Sequence, residues 1–495
     1  MLLVLALACA PVSPDQARTA FLRDTLTTDN AIWLGRDTEL LAGKYAKMSA
    51  DPFDFMRGTS ALFYADLSRP APDREATQFL TVPDAGSILL AGDPHPENFG
   101  AGLPGEEPAF GQAPDLAVGI EIDDLDGSAF GPYLLDVRRG SLGVALLASA
   151  LEGCDADCVS AAVAAFAGAY VGEIEALSAA ANGSVSSAVS SAVCTDDDGR
   201  MVADLCAASA SDGALGDVLA SYTTGASGAS GARSLIRDEQ LDDAGKGLLA
   251  LTPDEDAQLS RLLSSWRSRP ADFRELDRAR RFGSGVASFP AVRYVVLWDH
   301  GADGGTDSGT DSGPETGDDD HLVSIREVID PPNPPGRSAT VPVLFDSNAA
   351  RIEQVAWLLW SRPDADPRMA GLSDGASTFK VTTWSGYFQG FNHSDIVEGW
   401  ADGSYEAGDL LGLAARNGRT LADSHARGLT SEGRPSLAAI SDDLGDDGDR
   451  FVAERVSNAT TDLARSEADF QTFQRALDDF GPLLGAETPV KDTTR

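Results

Sequence analysis

Basic residues are scarce in this chain. Its 495 residues hold 38 Lys and Arg against 77 Asp and Glu, a formal net charge of −39. Polyphosphate backbones need basic patches, so nucleic acid and anionic membrane surfaces are excluded as partners. Solubility, an exported life or a salty habitat explains such acidity, with acid-rich metal binding as the rival. Cysteine is rare too, with five in all. Setting Cys9 aside leaves Cys154, Cys158, Cys194 and Cys206, and the spacings in "CDADC" and "CTDDDGRMVADLC" suit two local disulfides in an oxidising compartment. A zinc site is the weaker alternative, because no histidine lies near.

Long apolar runs are also missing at the start. "MLLVLALACAPVSPDQ" puts eight mostly apolar residues before Cys9, whereas a membrane span needs about 20. The stretch is similar to a bacterial lipoprotein signal, with Ala8 as the small residue before cleavage and Cys9 as the residue that takes the lipid. It departs from that pattern in lacking a positive n-region and in having Ala6 where leucine is usual. The expectation is a cell-envelope protein, periplasmic or anchored through a lipid on Cys9, with a cytoplasmic location as the alternative.

The length exceeds one core, so two or three lobes are expected, and a hydrophobic content of 43% lets most of the chain fold. Residues 1–20 read as signal and tether. Residues 21–270 read as a helical lobe carrying a loop at 88–102 and an acidic strand at 118–126. Residues 271–400 read as a sheet lobe, and 401–495 as C-terminal helices packing on the helical lobe. Within 21–270 the pattern gives a helix broken at Pro52, a strand at 87–91, a turn at Gly131-Pro132 and a long helix after it. The sheet lobe holds "ARRFGSGVASFPAVRYVVLW" and "HLVSIREVID" as strands, rich in Val, Ile and aromatics. Between them "GADGGTDSGTDSGPETGDDD", residues 301–320, reads as an acidic low-complexity insertion without calcium-loop spacing. The helix 347–361 carries Ile352, Val355, Ala356 and Leu359 on one stripe.

The chemistry concentrates in "ILLAGDPHPENFGAG", residues 88–102. Phosphoryl transfer to a hydroxyl needs an aspartate to orient it and accept its proton, an asparagine a few residues on to hold metal, and a further aspartate on a nearby strand. Asp93 and Asn98 have the D-x-x-x-x-N spacing of a kinase catalytic loop. "GIEIDDLD" then supplies Asp123, Asp124 and Asp126 at the end of an apolar run. Each piece alone is also what an Asx-rich turn or a solvated strand end looks like; together and in this order they are far more specific. His95, fixed between two prolines, suits pinning the loop by a hydrogen bond better than acting as a base.

The pattern "HGDxHxxN", a strand ending in Asp, then "GP…D" resembles that of aminoglycoside-phosphotransferase-like kinases. More closely, "KMSADPFDFMRG…FYADL…GDPHPENFG…IDDLDGSAFGPYLLDVRR" resembles an uncharacterised bacterial family whose members carry "SPF-F-RG", "GD-H-ENFG" and "NDFDE--PGP-EWDL-R". The resemblance runs to about residue 430. It implies Asp93 as catalytic base, Asn98 as metal ligand, and Asp124 as the main metal ligand with Asp126 or Asp123 assisting. His425 and Arg57 also match family positions, in core or loop-bracing roles, and His300 and His321 flank the insertion without an assigned role. Ala91 stands where the phosphotransferases have histidine.

The order of parts is unusual. The candidate glycine loop, with Gly283 and Gly285, follows Asp93 by 190 residues, and the candidate lysine strand "LVSIREV" comes after it. Removing the insertion leaves 23 residues from Gly283 to Arg326, about right for a glycine hairpin and its next strand. The resemblance thus implies an α+β, protein-kinase-like bilobal fold in circularly permuted order, which needs only that the old termini lie close. Arg326 replaces the lysine of the family's "VKEA", and a planar fork is not a compact ammonium; Glu353 is its candidate ion-pair partner. The expected function is phosphate transfer from ATP, with Mg²⁺ or Mn²⁺, to a hydroxyl acceptor that is unspecified. The alternative is a catalytically inactive exported lipoprotein that binds or scaffolds, and a metal-dependent hydrolase is a third.

Overall fold

The computed structural model describes residues 13–69, 87–102, 118–181, 194–195, 198–210, 214–225, 233–242, 245–267, 269, 274–299, 320–329, 345–361, 366, 368–384 and 388–486. Cys9 with its signal-like segment, His300 and the insertion 301–320, apart from Asp320, lie outside the described residues.

Five helices open the fold: α1 (Pro14–Asp29), α2 (Ala31–Leu34), α3 (Thr38–Met48), α4 (Pro52–Gly58) and α5 (Ser60–Leu67). Side chains set their starts. Ser13 and Gln16 form a capping box on α1, and Asp51 accepts the Asp54 amide just before Pro52, satisfying donors that have no partner inside the helix. Then come β1 (Ser87–Leu89), β2 (Phe99–Gly102), β3 (Gly119–Ile122) and β4 (Phe130–Pro132). Gly131-Pro132, expected as a turn, is strand: β4 pairs antiparallel with β1, Ser87 opposite Pro132, and a proline at a strand end removes no ladder bond from the interior.

The helical mass continues with α6 (Leu134–Ser149), α7 (Ala156–Ala181), α8 (Arg200–Ser209) and α9 (Ala214–Tyr222). A short ladder of β5 (Thr223–Thr224) and β6 (Ser234–Leu235) follows. Cys154–Cys158 and Cys194–Cys206 are bonded, the two local pairs that the spacing implies.

The sheet comprises β7 (Gly247–Leu249), β8 (Arg274–Phe282), β9 (Arg293–Asp299), β10 (Asp320–Val328), β11 (Ala370–Asp374) and β12 (Ser377–Thr383), with α10 (Pro253–Ser265) after β7 and α11 (Asn348–Leu359) after β10. Its spatial order is β11-β12-β10-β9-β8-β7, antiparallel throughout. Alternation puts Tyr294, Val296, Trp298, Val323, Ile325, Phe379 and Val381 on one face, packed on Leu259, Leu262 and Leu263 of α10. The sheet lobe therefore starts near 247 rather than 271: the sheet's apolar face needs a cover, and α10 supplies it. His321 packs beside Trp298 on β10.

The chain returns through β13 (Gln389–Gly390), which pairs with β2, to α12 (His393–Ala401), α13 (Ala407–Arg427), α14 (Ser436–Leu444) and α15 (Gly448–Phe480). α7 is apolar enough in length and composition to cross a membrane (mean hydropathy 1.3), and here it packs against α6, α13, α14 and α15. Beyond α13 the chain lies beside β1: the Leu89 amide donates to the Leu429 carbonyl at 2.8 Å, and the Ser431 amide to Ser87 at 2.8 Å. The N-terminal helices touch both lobes. Trp33, Leu41 and Tyr45 share a core with Phe473 of α15 and with Val286 and Ala291 of the β8–β9 turn.

Candidate functional site

Backbone geometry explains why the loop after β1 begins with glycine. Gly92 has φ +99°, and a Cβ there would lie 2.2 Å from the Gly127 carbonyl oxygen, so both the conformation and the close approach require glycine. Asp136, fully buried in the first turn of α6, accepts the Ala91 amide at 2.7 Å and the Gly92 amide at 3.2 Å. His425 Nε2 lies 3.0 Å from the same carboxylate, and its Nδ1 is 2.9 Å from the Tyr170 hydroxyl. Tyr64 donates to the Gly92 carbonyl at 2.7 Å. Asp136 of α6 and Tyr64 of α5 thus hold the loop's backbone groups, and His425 of α13, itself held by Tyr170 of α7, supports Asp136, which leaves none of these buried polar atoms without a partner. His425 and Arg57 brace: Arg57 pairs with Asp54 at 2.8 Å and with Glu97 of the loop at 2.7 Å.

Asp93 accepts from Arg139 Nε at 2.7 Å, and a second nitrogen of Arg139 donates to the Met56 carbonyl at 2.7 Å. Asn98 Nδ2 donates to the Asp93 carbonyl at 2.7 Å, leaving the amide oxygen as the side chain's acceptor for a cation. His95 is buried, edge-on to Phe53, with Nε2 3.9 Å from Asp93, too far for a hydrogen bond. Burial pulls its pKa down to about 4 against the pull of Asp93, so it is neutral at pH 7 and holds the loop by packing.

That shift has a measurable sign. The folded pKa lies below the unfolded value, so the unfolded chain takes the proton first. The stability tied to neutral His95 is complete above pH 6.5 and is lost as pH falls towards 4. The wild type should lose about 3 kcal/mol more than His95→Gln over that interval. Urea unfolding of both proteins from pH 7 to 4 checks it, because the carboxylates common to both cancel; parallel curves would remove His95 as a titrating group.

Asp123, Asp124 and Asp126 follow β3, and the Asp123 amide donates to the Asn98 carbonyl at 2.8 Å, tying the two loops together. Across the cleft, Arg326 of β10 donates to Asp124 at 3.1 Å and also bonds Asp126. Lys380 of β12, opposite Arg326 in the ladder, lies 3.1 Å from Asp126 and 3.9 Å from Asp124. Burial pushes the Asp124 carboxyl up, but Arg326 and Lys380 together hold it well below the usual carboxylate range. Desolvation raises the Asp123 carboxyl above its ordinary value against the pull of Lys380.

One expectation changes here. Glu353 is exposed on α11, and the carboxylates that pair with Arg326 are Asp124 and Asp126. Gly283 and Gly285 do turn between β8 and β9 with φ +79° and +73°. The turn's carbonyls accept from cations: Lys47 donates to Gly283 and Gly285 at 3.0 and 3.2 Å, and Arg293 to Ser284 at 2.7 Å. Among the described residues no three His, Cys, Asp or Glu side chains converge as a metal cluster. The Asn98 amide and the three aspartates offer hard oxygen donors of the kind that suit Mg²⁺ or Mn²⁺, with Asp124 and Asp126 engaged by cations. Sequence reasoning does not single out Lys380, Arg139 or Asp136; the signal that Lys380 does carry is that it is the one basic residue in the alternation "TFKVT".

The fold sets a cationic strand row against the acidic end of a strand, beside a braced Asp-His-Asn loop. The chain belongs to a bacterial family: residues 36–308, more than half of its length, match the one described as "Uncharacterized protein conserved in bacteria (DUF2252)". The match takes in the loop, the acidic strand and the glycine turn, and stops short of Arg326. No curated protein and no solved structure matches the chain.

Proposed function

We propose that the protein is a kinase-like phosphotransferase whose phosphate-holding lobe follows its catalytic loop in the chain, moving phosphate from ATP to a hydroxyl acceptor with Mg²⁺ or Mn²⁺. One observation carries this reading: Arg326 and Asp124, 202 residues apart, meet at 3.1 Å across the cleft. The order of elements supports it. β8, β9 and β10 run glycine turn, strand, then a cation-bearing third strand followed by helix α11, the order in which a kinase sets its glycine loop, phosphate-binding lysine and next helix. The ladder between Leu429–Ser431 and β1 supports the permutation, since a kinase-type order would join the chain there.

In this reading Asp93 orients the acceptor hydroxyl and takes its proton, and Arg139 fixes its carboxylate. Asn98, Asp124, Asp126 and Asp123 would hold the metal, which when bound neutralises charge on the phosphates. Arg326 binds a phosphate oxygen. The pairs Arg326–Asp124 and Lys380–Asp126 then act as placeholders, with the acids turning to metal and the cations to phosphate.

Melting of the full chain with Mg²⁺, with and without ATP, beside Asp124→Asn tests the reading. Ligand at about 100 times its Kd should add about 2.7 kcal/mol to the wild type and nothing to the variant. A wild type unmoved by the pair of ligands would sink it. Absence of a shift would favour the second reading, an inactive binding lipoprotein of the cell envelope. That reading draws on the two disulfides, which belong in an oxidising compartment where ATP is scarce, and on arginine in the lysine's place. Fractionation of cells for the protein separates the envelope from the cytoplasm.

A further inference from the structure

Lys380 shares its row with other cations. The ladders set Arg326 opposite Lys380 on β12 and opposite Arg293 on β9. Residues directly opposite in antiparallel strands point to one face, so three adjacent strands present Arg293, Arg326 and Lys380 side by side, away from the apolar face that α10 covers. On β8, Arg281 lies on the same side as Ala279 and opposite to Arg280, with its guanidinium 4.0 Å over the Trp384 ring just beyond β12. Like charges set opposite each other destabilise a sheet. Here they do so in a chain of net charge −39, where carboxylates abound.

Among the described residues Asp124 and Asp126 form the ion pairs with the row. Among the described residues neither Arg281 nor Arg293 reaches a carboxylate. Arg293, 5% exposed, donates to the Ser284 carbonyl and to Ser288 Oγ at 2.6 Å, and its Nε has no acceptor. Asp123 adds a further attraction to Arg326 and Lys380, so four cations face three carboxylates and the row keeps a surplus of positive charge. Arg326 and Lys380 touch the same two carboxylates, so an anionic oxygen that displaced either one would meet both cations.

We propose that this row is a polyphosphate clamp, with Lys380 a second phosphate-binding cation beside Arg326 and Arg293 a positioning residue for the glycine turn. The identity of the nucleotide rests on the phosphotransferase reading; the clamp's chemistry is that of any linear chain of phosphates. Arg326 offers a planar fork and Lys380 a compact ammonium, two geometries that grip neighbouring phosphate groups differently. A Lys380 that served only as counterion to Asp126 would govern stability and leave ligand affinity untouched.

The test is the apparent Kd of the full chain, with Mg²⁺, for inorganic tripolyphosphate, ATP and AMP, in the wild type, Lys380→Met and Lys380→Arg. The wild type should bind tripolyphosphate. Lys380→Met should weaken tripolyphosphate and ATP about tenfold or more, the worth of one lost charge-assisted bond, and change AMP far less, with Lys380→Arg recovering most of the loss. ATP bound equally by wild type and Lys380→Met overturns the clamp and leaves the nucleotide reading standing. Tripolyphosphate bound as tightly as ATP, and lost in Lys380→Met, supports the clamp and removes ATP as the specific donor. A wild type that binds no tripolyphosphate overturns the clamp without reference to any variant, which covers the case of a variant that fails to fold.

Discussion

Asp136→Ala is expected to cost the protein about 3–5 kcal/mol of folding stability, the loss usual when one partner of a buried charged network is removed. Three groups depend on this one carboxylate: the amides of Ala91 and Gly92, and His425 Nε2. All lie where water does not reach, so each would be left without a partner rather than handed to solvent. The loss should appear in urea as a lower midpoint with an unchanged slope. Asp136→Asn should fall between, since its amide keeps one acceptor and turns a donor on other donors. A loss below about 1 kcal/mol for the alanine would be that of a single ordinary hydrogen bond and would mean that the loop is held by something else. The position of Asp93 hangs on the same contacts, because Gly92 is its neighbour in the chain.

Local patterns made much of this arrangement legible. The apolar run into Gly92-Asp93, the acids after β3 and the long helix behind them are short-range features, and they fold as short-range features. The stripe Ile352, Val355, Ala356 and Leu359 is buried as its spacing requires, and that same stripe leaves Glu353 one helical step off the covered face. The ion pair expected for Glu353 was thus at odds with the helix's own periodicity. What could not be read was register. Lys380 reaches Asp126 only because β12 inserts between β10 and β11, placing it opposite Arg326, and no local spacing encodes that neighbour. β7 and α10 joined the sheet lobe for a similar reason: a sheet face is completed by whichever helix covers it, and chain order does not name that helix.

Asp93→Asn should leave the fold and the ATP-dependent melting shift in place while lowering the rate of phosphate transfer by about 10²–10⁴-fold, the usual worth of a positioned proton acceptor. An amide oxygen can take the bond from Arg139 that the carboxylate now takes at 2.7 Å, so Arg139, 1% exposed, is not stranded. Alanine would strand it and confuse a chemical loss with a structural one. What the amide lacks is basicity towards the acceptor hydroxyl. ADP release with Mg²⁺, water serving as surrogate acceptor, gives the rate, and melting with ATP gives the binding. The two readouts part the aspartates: Asp124→Asn should lose both, because Asp124 pairs with Arg326 and would hold the metal in the proposed reading, whereas Asp93→Asn should lose the rate alone. Equal rates in wild type and Asp93→Asn, with binding intact, would take Asp93 out of the chemistry, and the Arg139 contact would then be the whole reason for its place in the loop.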